Sequence, residues 1–407
     1  MSGEGVVSAT RGPGQRVMAG EALPGTGGTG VRVAVVCCGD YGRETVARAV
    51  ERVLALLEQE GELVQPGETV VLKPNLLAPE PPERAVTTHP EVFRAVAEAL
   101  RRRGACLSYG DSPAVGSMRR AARRAGLDQV AQELGITAAD FSSGREVSFP
   151  EGVQNKRFTL AAGALAADCL VSLPKLKTHG LMLVTGAVKN QFGCVPGLLK
   201  GEFHLRLPQA EQFARMLVDL NRCLRPRLYV MDAVVGMQGN GPRGGQPVQV
   251  GALLASTDPV ALDAVACRLV GIDPARVPTV AAGHEAGLGV GDLARVELVG
   301  DRLEMPARIS FAVPARRPPT WLLRPQLRNL LLPRPEIDDA VCIRCGVCVQ
   351  MCPLRPPAVD WRDAERQSAP EYRYDRCIRC YCCQEVCPEG AVHLRASWLG
   401  RLLAGGR

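Results

Sequence analysis

The sequence predicts an α/β protein, a mostly parallel sheet covered by helices, followed by a small cysteine-rich α+β domain. Three observations predict it. From Val31 onward short β-branched runs alternate with longer helical patterns, polar residues gather where those runs end, and nine of the sixteen cysteines fall between Cys342 and Cys387. Strand and helix alternate in parallel sheets because each parallel pair needs a crossover connection.

The expected strands are Val31 to Val36, Thr69 to Lys73, Ala105 to Gly110, Cys169 to Leu173, Arg227 to Met231 and Val250 to Ser256. A helix is expected from about Arg43 to Glu60. A second helix is marked at both ends: Thr88 or His89 caps it, Pro90 occupies its first turn, Arg101 to Arg103 suit its C-terminal dipole, and Gly104 stops it. Arg119, Arg120, Arg123 and Arg124 read as a solvated helix face, with RNA binding as the rival use. Gly239-Asn-Gly-Pro-Arg-Gly244 matches G-x-G-x-x-G, yet that pattern binds dinucleotides only when a helix follows, and here Pro247 and a strand follow. It is expected to be a mobile glycine loop over a cleft, with Asn240 and Arg243 as ligand contacts.

At 407 residues the chain exceeds one typical domain, and 46% hydrophobic with 22% charged residues is ordinary globular composition. The net charge of +7 is spread thinly and supports neither a nucleic-acid footprint nor a membrane patch. Residues 1–30 lack the apolar run of a secretory signal, and the most apolar late stretch, Trp321 to Leu332, is interrupted by Arg324, Pro325 and Arg328. No membrane span and a cytoplasmic, reducing location are therefore expected, where dense cysteine signifies metal binding rather than disulfides. Pro306 to Pro335 holds seven prolines, six arginines and no acid. The expected organisation is a tail at 1–30, an α/β domain at 31–305, a connector at 306–336 with a short helix around Trp321 to Leu331, the cysteine-rich domain at 337–396, and a tail at 397–407.

Within that last domain Cys342-x2-Cys345-x2-Cys348-x3-Cys352-Pro is repeated 35 residues later as Cys377-x2-Cys380-x2-Cys383-x3-Cys387-Pro. Three thiolates at intervals of three wrap one face of an iron–sulfur cube, and the fourth comes from the other run. One [4Fe-4S] cluster is thus assigned Cys342, Cys345, Cys348 and Cys387, the other Cys377, Cys380, Cys383 and Cys352. Structural zinc is the rival reading, but it needs only four ligands, usually as two separated pairs. Cys382 has no place in this scheme and is expected to be a packed or half-exposed thiol. The segment resembles bacterial two-cluster ferredoxins, which implies a small α+β module holding two neighbouring cubes. A surface loop is expected around Asp363 to Ala369. The seven scattered cysteines lack metal spacing and are expected mostly in the core.

Ligands of open parallel sheets bind outside the carboxyl ends of the strands. Five expected ends carry polar groups, in Lys73-Pro-Asn75, Asp111-Ser-Pro113, Lys175-Leu-Lys177-Thr-His179, Asp232 and Asp258, although Asp258 before Pro259 also reads as a helix cap. With Lys189 and Asn190 added, the candidate cleft favours an anionic ligand. The catalytic candidates are Lys175, Lys177, His179 and Asp111, with His179 supplying a proton. The ligand-binding candidates are Lys73, Asn75, Lys189, Asn190, Asp232 and Asn240. For His89 a cap is the stronger use; for His179 a satisfied loop histidine stands beside the catalytic role.

Lys73-Pro-Asn75, Thr88-His-Pro90, Gly110-Asp-Ser-Pro113, Leu173-Pro-Lys-Leu-Lys-Thr-His179, Thr185-Gly-Ala-Val-Lys-Asn-Gln-Phe-Gly193 and Gly239-Asn-Gly-Pro242 together resemble the iron–sulfur-associated family catalogued as domain of unknown function 362. The resemblance spans about Val31 to Gly300 and implies no settled reaction. The leading expectation is a two-cluster electron-transfer protein whose N-terminal cleft reduces an anionic small molecule or docks a redox partner protein. A non-catalytic binding, assembly or oxygen-sensing protein with structural clusters is the alternative.

Overall fold

The computed structural model describes residues 30–59, 61–197, 199–301, 311–313 and 332–395. Apart from Gly30, the expected tails lie outside these residues, as does the whole of the expected helix at Trp321 to Leu331.

The N-terminal region opens with β1 (Val31–Cys37), α1 (Arg43–Glu58), β2 (Thr69–Pro74), α2 (Pro90–Arg102) and β3 (Cys106–Tyr109). Helices α3 (Met118–Arg124) and α4 (Leu127–Glu133) lead to a two-residue β4 (Thr137–Ala138). A separate hairpin of β5 (Gly144–Ser148) and β6 (Arg157–Ala161) and a short α5 (Ala162–Ala166) precede β7 (Cys169–Leu173), β8 (Lys175–His179) and β9 (Leu183–Thr185). Next come α6 (Ala187–Asn190), α7 (Leu199–Arg206) and α8 (Ala210–Leu224). The hairpin β10 (Leu228–Gln238) and β11 (Gln246–Ser256), then α9 (Pro259–Leu269), α10 (Pro278–Glu285) and β12 (Val296–Gly300), complete it.

Ten strands form one sheet, in the order β12-β1-β11-β10-β7-β2-β3-β4, with β8 beside β10 and β9 beside β8. Five of the seven neighbouring pairs on that path are parallel; the exceptions are those β11 makes with β1 and β10. The two-residue period of the strands splits the core into two layers. Ala34 and Val36 face α1 and α2, whereas Val33 and Val35 face the other helical layer with α8 and α9. In β11, Leu253 and Ala255 join the first layer and Ala252 and Leu254 the second.

Local signals explain α2. His89 Nδ1 accepts from the Glu91 N–H at 3.2 Å, Pro90 opens the helix, and Arg103 reaches Glu51 and Glu58 of α1. On α3, Arg119, Arg120, Arg123 and Arg124 are exposed, as a solvated face requires.

The C-terminal region contains β13 (Arg334–Ile337), α11 (Val347–Gln350), β14 (Val359–Asp360), β15 (Glu371–Tyr372), α12 (Cys382–Val386) and β16 (Val392–Arg395), so its first strand begins inside the expected connector. Antiparallel pairing of β13 with β16 and of β14 with β15 makes it α+β. The duplication extends to the backbone. Arg344 and Gly346 are left-handed (φ 56° and 71°), and so are Arg379 and Tyr381 (φ 63° each), at equivalent places before α11 and α12. Tyr381 stands where the first repeat uses glycine, and its hydroxyl donates to the Pro333 carbonyl at 2.7 Å.

Candidate functional site between the two regions

The loop joining β10 to β11 corrects one expectation. Rather than lying mobile over a cleft, it is the socket for the C-terminal region. Asn240 Nδ2 donates to the carbonyls of Gly390 (3.1 Å) and Val392 (2.9 Å), and Gln384 Nε2 donates to Asn240 Oδ1 and to the Gly241 carbonyl, both at 2.8 Å. Arg243 pairs with Glu80 at 2.6 Å and donates to the Val386 carbonyl. Gly244 and Gly390 touch backbone to backbone: a Cβ on Gly244 would sit 2.5 Å from the Gly390 Cα. Asn240 and Arg243 are therefore docking residues, and their side chains are committed across the seam.

Beside this seam lies a cavity of about 80 Å³. Lys73, Asn75, Asp111 and Lys177 line it from the sheet, with Lys189 and Asn190 of α6 and Lys200 and His204 of α7. Met351, Cys382, Glu385 and Val386 close it from the cysteine-rich side. Six of the ten N-terminal candidates are thus brought together. The other four are not.

Lys175 and Asp232 form an internal pair at 2.7 Å, 1% and 0% exposed. Tyr41 donates to Asp232 Oδ1 at 2.8 Å and accepts from Lys175 at 2.7 Å, and His89 stacks on Tyr41. His179 is fully buried outside the cavity lining; its Nδ1 accepts from the N–H groups of Leu181 and Met182 at 3.0 and 3.2 Å. Burial, the largest influence, lowers its pKa to about 4. The imidazole is therefore neutral, and its Nε2 lies 3.0 Å from Glu385 Oε1 without a hydrogen bond between them. This geometry spends its Nδ1 on the turn, the loop-histidine use that the sequence allowed beside the proton-donor role. Asn240, the fourth, is the docking residue described above.

A buried network sets the remaining groups. Lys73 Nζ contacts Asp111 Oδ1 at 2.9 Å and donates to Asn190 Oδ1 at 3.0 Å. Asn75 Nδ2 donates to the same Asn190 oxygen at 3.1 Å, and Asn75 Oδ1 accepts from Lys177 at 2.7 Å. Asp111 Oδ2 accepts from the Leu76 N–H at 2.6 Å. Gly193 must lack a side chain, because a Cβ there would fall 1.8 Å from Asp111 Oδ1. Asp263 of α9 accepts from the N–H groups of Ala187 and Val188, fixing α6 and hence Lys189 and Asn190. Asp111 and Lys73 thus build the wall, and Lys177, Lys189 and Lys200 furnish its free positive charge. Burial leads in lowering all three pKa values, that of Lys200 to about 7.

Sequence reasoning missed Lys200, His204, Glu385 and the position of Cys382. Lys200 and His204 are four residues apart on one helix face, a spacing that was available as a signal. Nothing local marks the other two as cavity residues.

In the cysteine-rich region, Cys342, Cys345, Cys348 and Cys387 line one cavity of about 20 Å³. Burial, then the adjacent Cys345, Cys387 and Cys342 sulfurs, raises the Cys348 thiol to about 12. Cys352, Cys377 and Cys383 pack in one apolar cluster, and the Ala358 N–H points at Cys352 Sγ at 3.3 Å. Among the described residues no three Cys, His, Asp or Glu side chains converge tightly enough to hold a single metal ion. Four sulfurs around a shared space suit the wider body of an iron–sulfur cube. The residues fit that group.

Fold and cysteine arrangement define an iron–sulfur protein with a ferredoxin-like C-terminal region. Residues 341–391 match the 4Fe-4S dicluster domain, and residues 70–268 match the domain of unknown function DUF362. The chain belongs to the DUF362 family. Thylakoid-associated protein sll1697 of Synechocystis sp. is 41% identical over 229 residues, covering 56% of this chain and 71% of that protein. Among solved structures, the lactate racemase apoprotein of Thermoanaerobacterium thermosaccharolyticum overlaps with TM-score 0.39 at 11% identity, over 60% of this chain and 57% of that one. A protein from Thermotoga maritima overlaps with TM-score 0.30 at 11% identity, over 51% and 53%. The chain thus spans little more than half of either. No helix among the described residues is long and apolar enough to cross a membrane.

Proposed function

We propose that the protein is a cytoplasmic electron-transfer protein that holds two [4Fe-4S] clusters and reduces a small anionic ligand bound at the seam. The observation that carries this reading is the place of Cys382. Flanked by the assigned ligands Cys380 and Cys383, it lines the same cavity as Lys177 and Lys189. Met351 and Cys382, which line that cavity, are chain neighbours of the assigned ligands Cys352 and Cys383.

Cys342, Cys345, Cys348 and Cys387 would hold one cluster, and Cys377, Cys380, Cys383 and Cys352 the other. When bound, each such cluster supplies one-electron oxidation and reduction. Lys177 and Lys189 attract and orient the anion, and the seam limits its access to water. Lys200, titrating near neutrality, is the group best placed to give up a proton there. The first cysteine set lies nearer solvent, with Cys345 exposed and Val341 and Ile343 41% and 61% exposed beside it. That apolar rim suits a redox partner protein as electron donor.

Anaerobic purification should return about eight iron and eight sulfide per chain. Reversible reduction at physiological potentials supports electron transfer. Zinc with little iron would remove the cluster assignment, and clusters inert across that range would favour the structural or oxygen-sensing alternative.

A further inference from the structure

The cavity holds more positive charge than its own walls balance. Among the described lining residues there are four lysines and two carboxylates, Asp111 and Glu385. Asp111 is fully engaged, by Lys73 and by the Ser112 and Leu76 N–H groups. Lys177, 1% exposed, donates only to neutral oxygens, those of Asn75 at 2.7 Å and Val86 at 2.6 Å. Lys200 donates to the Ser112 hydroxyl at 2.8 Å. Lys189 has no hydrogen bond or ion pair among the described residues and rests against the Phe192 ring at 5.9 Å. Lys177 is buried, and Lys189 and Lys200 are half-buried, with Glu385 acting on Lys189. Cations so enclosed without enough counter-charge are unfavourable, so their retention calls for something that brings the missing charge.

Three further lining groups lack a hydrogen-bond partner. Thr185 Oγ1, His204 Nδ1 and Glu385 Oε1 are buried without one, in residues only 4%, 5% and 6% exposed, and the first two can donate to a bound anion. Lys200 and His204 share one face of α7, so a single helix carries a cation and a ring nitrogen to the same wall. Size sets the remaining limit. At about 10 to 15 Å³ per water, 80 Å³ accommodates roughly five to eight waters, which suits a solute of a few heavy atoms and excludes a nucleotide.

We infer that the seam cavity is a binding site for one small doubly charged oxyanion, a phosphate-like ion or a short dicarboxylate, held by Lys177, Lys189 and Lys200 with Thr185 and His204. The inference rests on the cavity being the ligand site proposed above and names the class of ligand. Two negative charges match the excess of two lysines over carboxylates. Because the lysines come from the sheet side and Cys382 from the other, the site is complete only when the two regions are docked.

Calorimetric titration of the anaerobic, cluster-loaded full chain tests it, with inorganic phosphate, malonate and acetate as probes. Phosphate or malonate should bind once per chain and acetate at least about tenfold more weakly; phosphate alone identifies a tetrahedral ion, malonate alone a dicarboxylate. Lys189→Met and Lys200→Met should each weaken that binding by about tenfold or more with the cluster absorbance unchanged. The inference is overturned if neither dianion binds or if acetate binds equally well. It is also overturned if the variants shift the cluster potentials without changing dianion affinity, since the lysines would then be balancing cluster charge. Dianion binding that never reoxidises the reduced protein leaves this inference standing and removes the reduction step from the proposed function.

Discussion

Lys175 and Lys177 stand two residues apart on the same strand, both buried, yet their surroundings are opposite in kind. Lys175 meets Asp232 at 2.7 Å and the Tyr41 hydroxyl at the same distance. Lys177 meets an amide and a carbonyl. The sheet register explains the divergence: Lys175 pairs with Asp232, but Lys177 pairs with Met237, because β10 advances five residues while β8 advances two. That irregularity carries the second lysine away from the acid and toward the seam. A buried lysine at a strand end is therefore structural where the register supplies a carboxylate, and available for a ligand where it does not.

The largest effect should come from breaking the matched side. Asp232→Ala leaves Lys175 buried and unpaired, and should lower unfolding stability by about 3 to 5 kcal/mol in denaturant titration. On the unmatched side, Lys177→Met removes an uncompensated charge and orphans only the Asn75 and Val86 oxygens, so its loss should be about 1 to 2 kcal/mol. Equal losses would show that the two lysines do not differ in kind. A smaller effect concerns pH. Lys200 has a folded pKa near 7, well below its ordinary 10.5, so the unfolded chain binds more protons between these values. Its penalty is complete below pH 7 and is relieved as pH rises toward 10. Lys175, Lys177 and Lys189 shift the same way, so the informative quantity is the pH slope of stability in Lys200→Met, which should be shallower than in the parent. The smallest effect is expected of Cys382→Ser, which should leave iron content unchanged, whereas Cys383→Ser should reduce it.

What was legible in the sequence was local. The cysteine spacing showed the duplication, and the His89, Pro90 and Gly104 punctuation delimited α2. The β-branched runs located the principal strands because strand character is written in each segment itself. The polar strand ends pointed to one end of the sheet, but could not separate Lys175 from Lys177, since the difference lies in how β8 registers against a strand more than fifty residues later in the chain. Sequence left His179 open between a loop and a catalytic use and offered Asn240 as a ligand contact; one is consumed by the turn at Leu181 and Met182, the other by the backbone around Gly390. Cys382 read as a surplus thiol for the same reason. Its meaning depends on the docking of two regions that share no sequence signal.

The bare contact between Gly244 and Gly390 bears on any attempt to divide the chain. A C-terminal piece made separately would have to find its socket by diffusion, and with no side chain at the point of closest approach it would gain little apolar burial there. The covalent link supplies an effective concentration that a mixed pair of fragments lacks. Reassembly from halves should consequently require high fragment concentrations, and a surrogate ferredoxin with a bulkier residue at the Gly390 position should fail to seat.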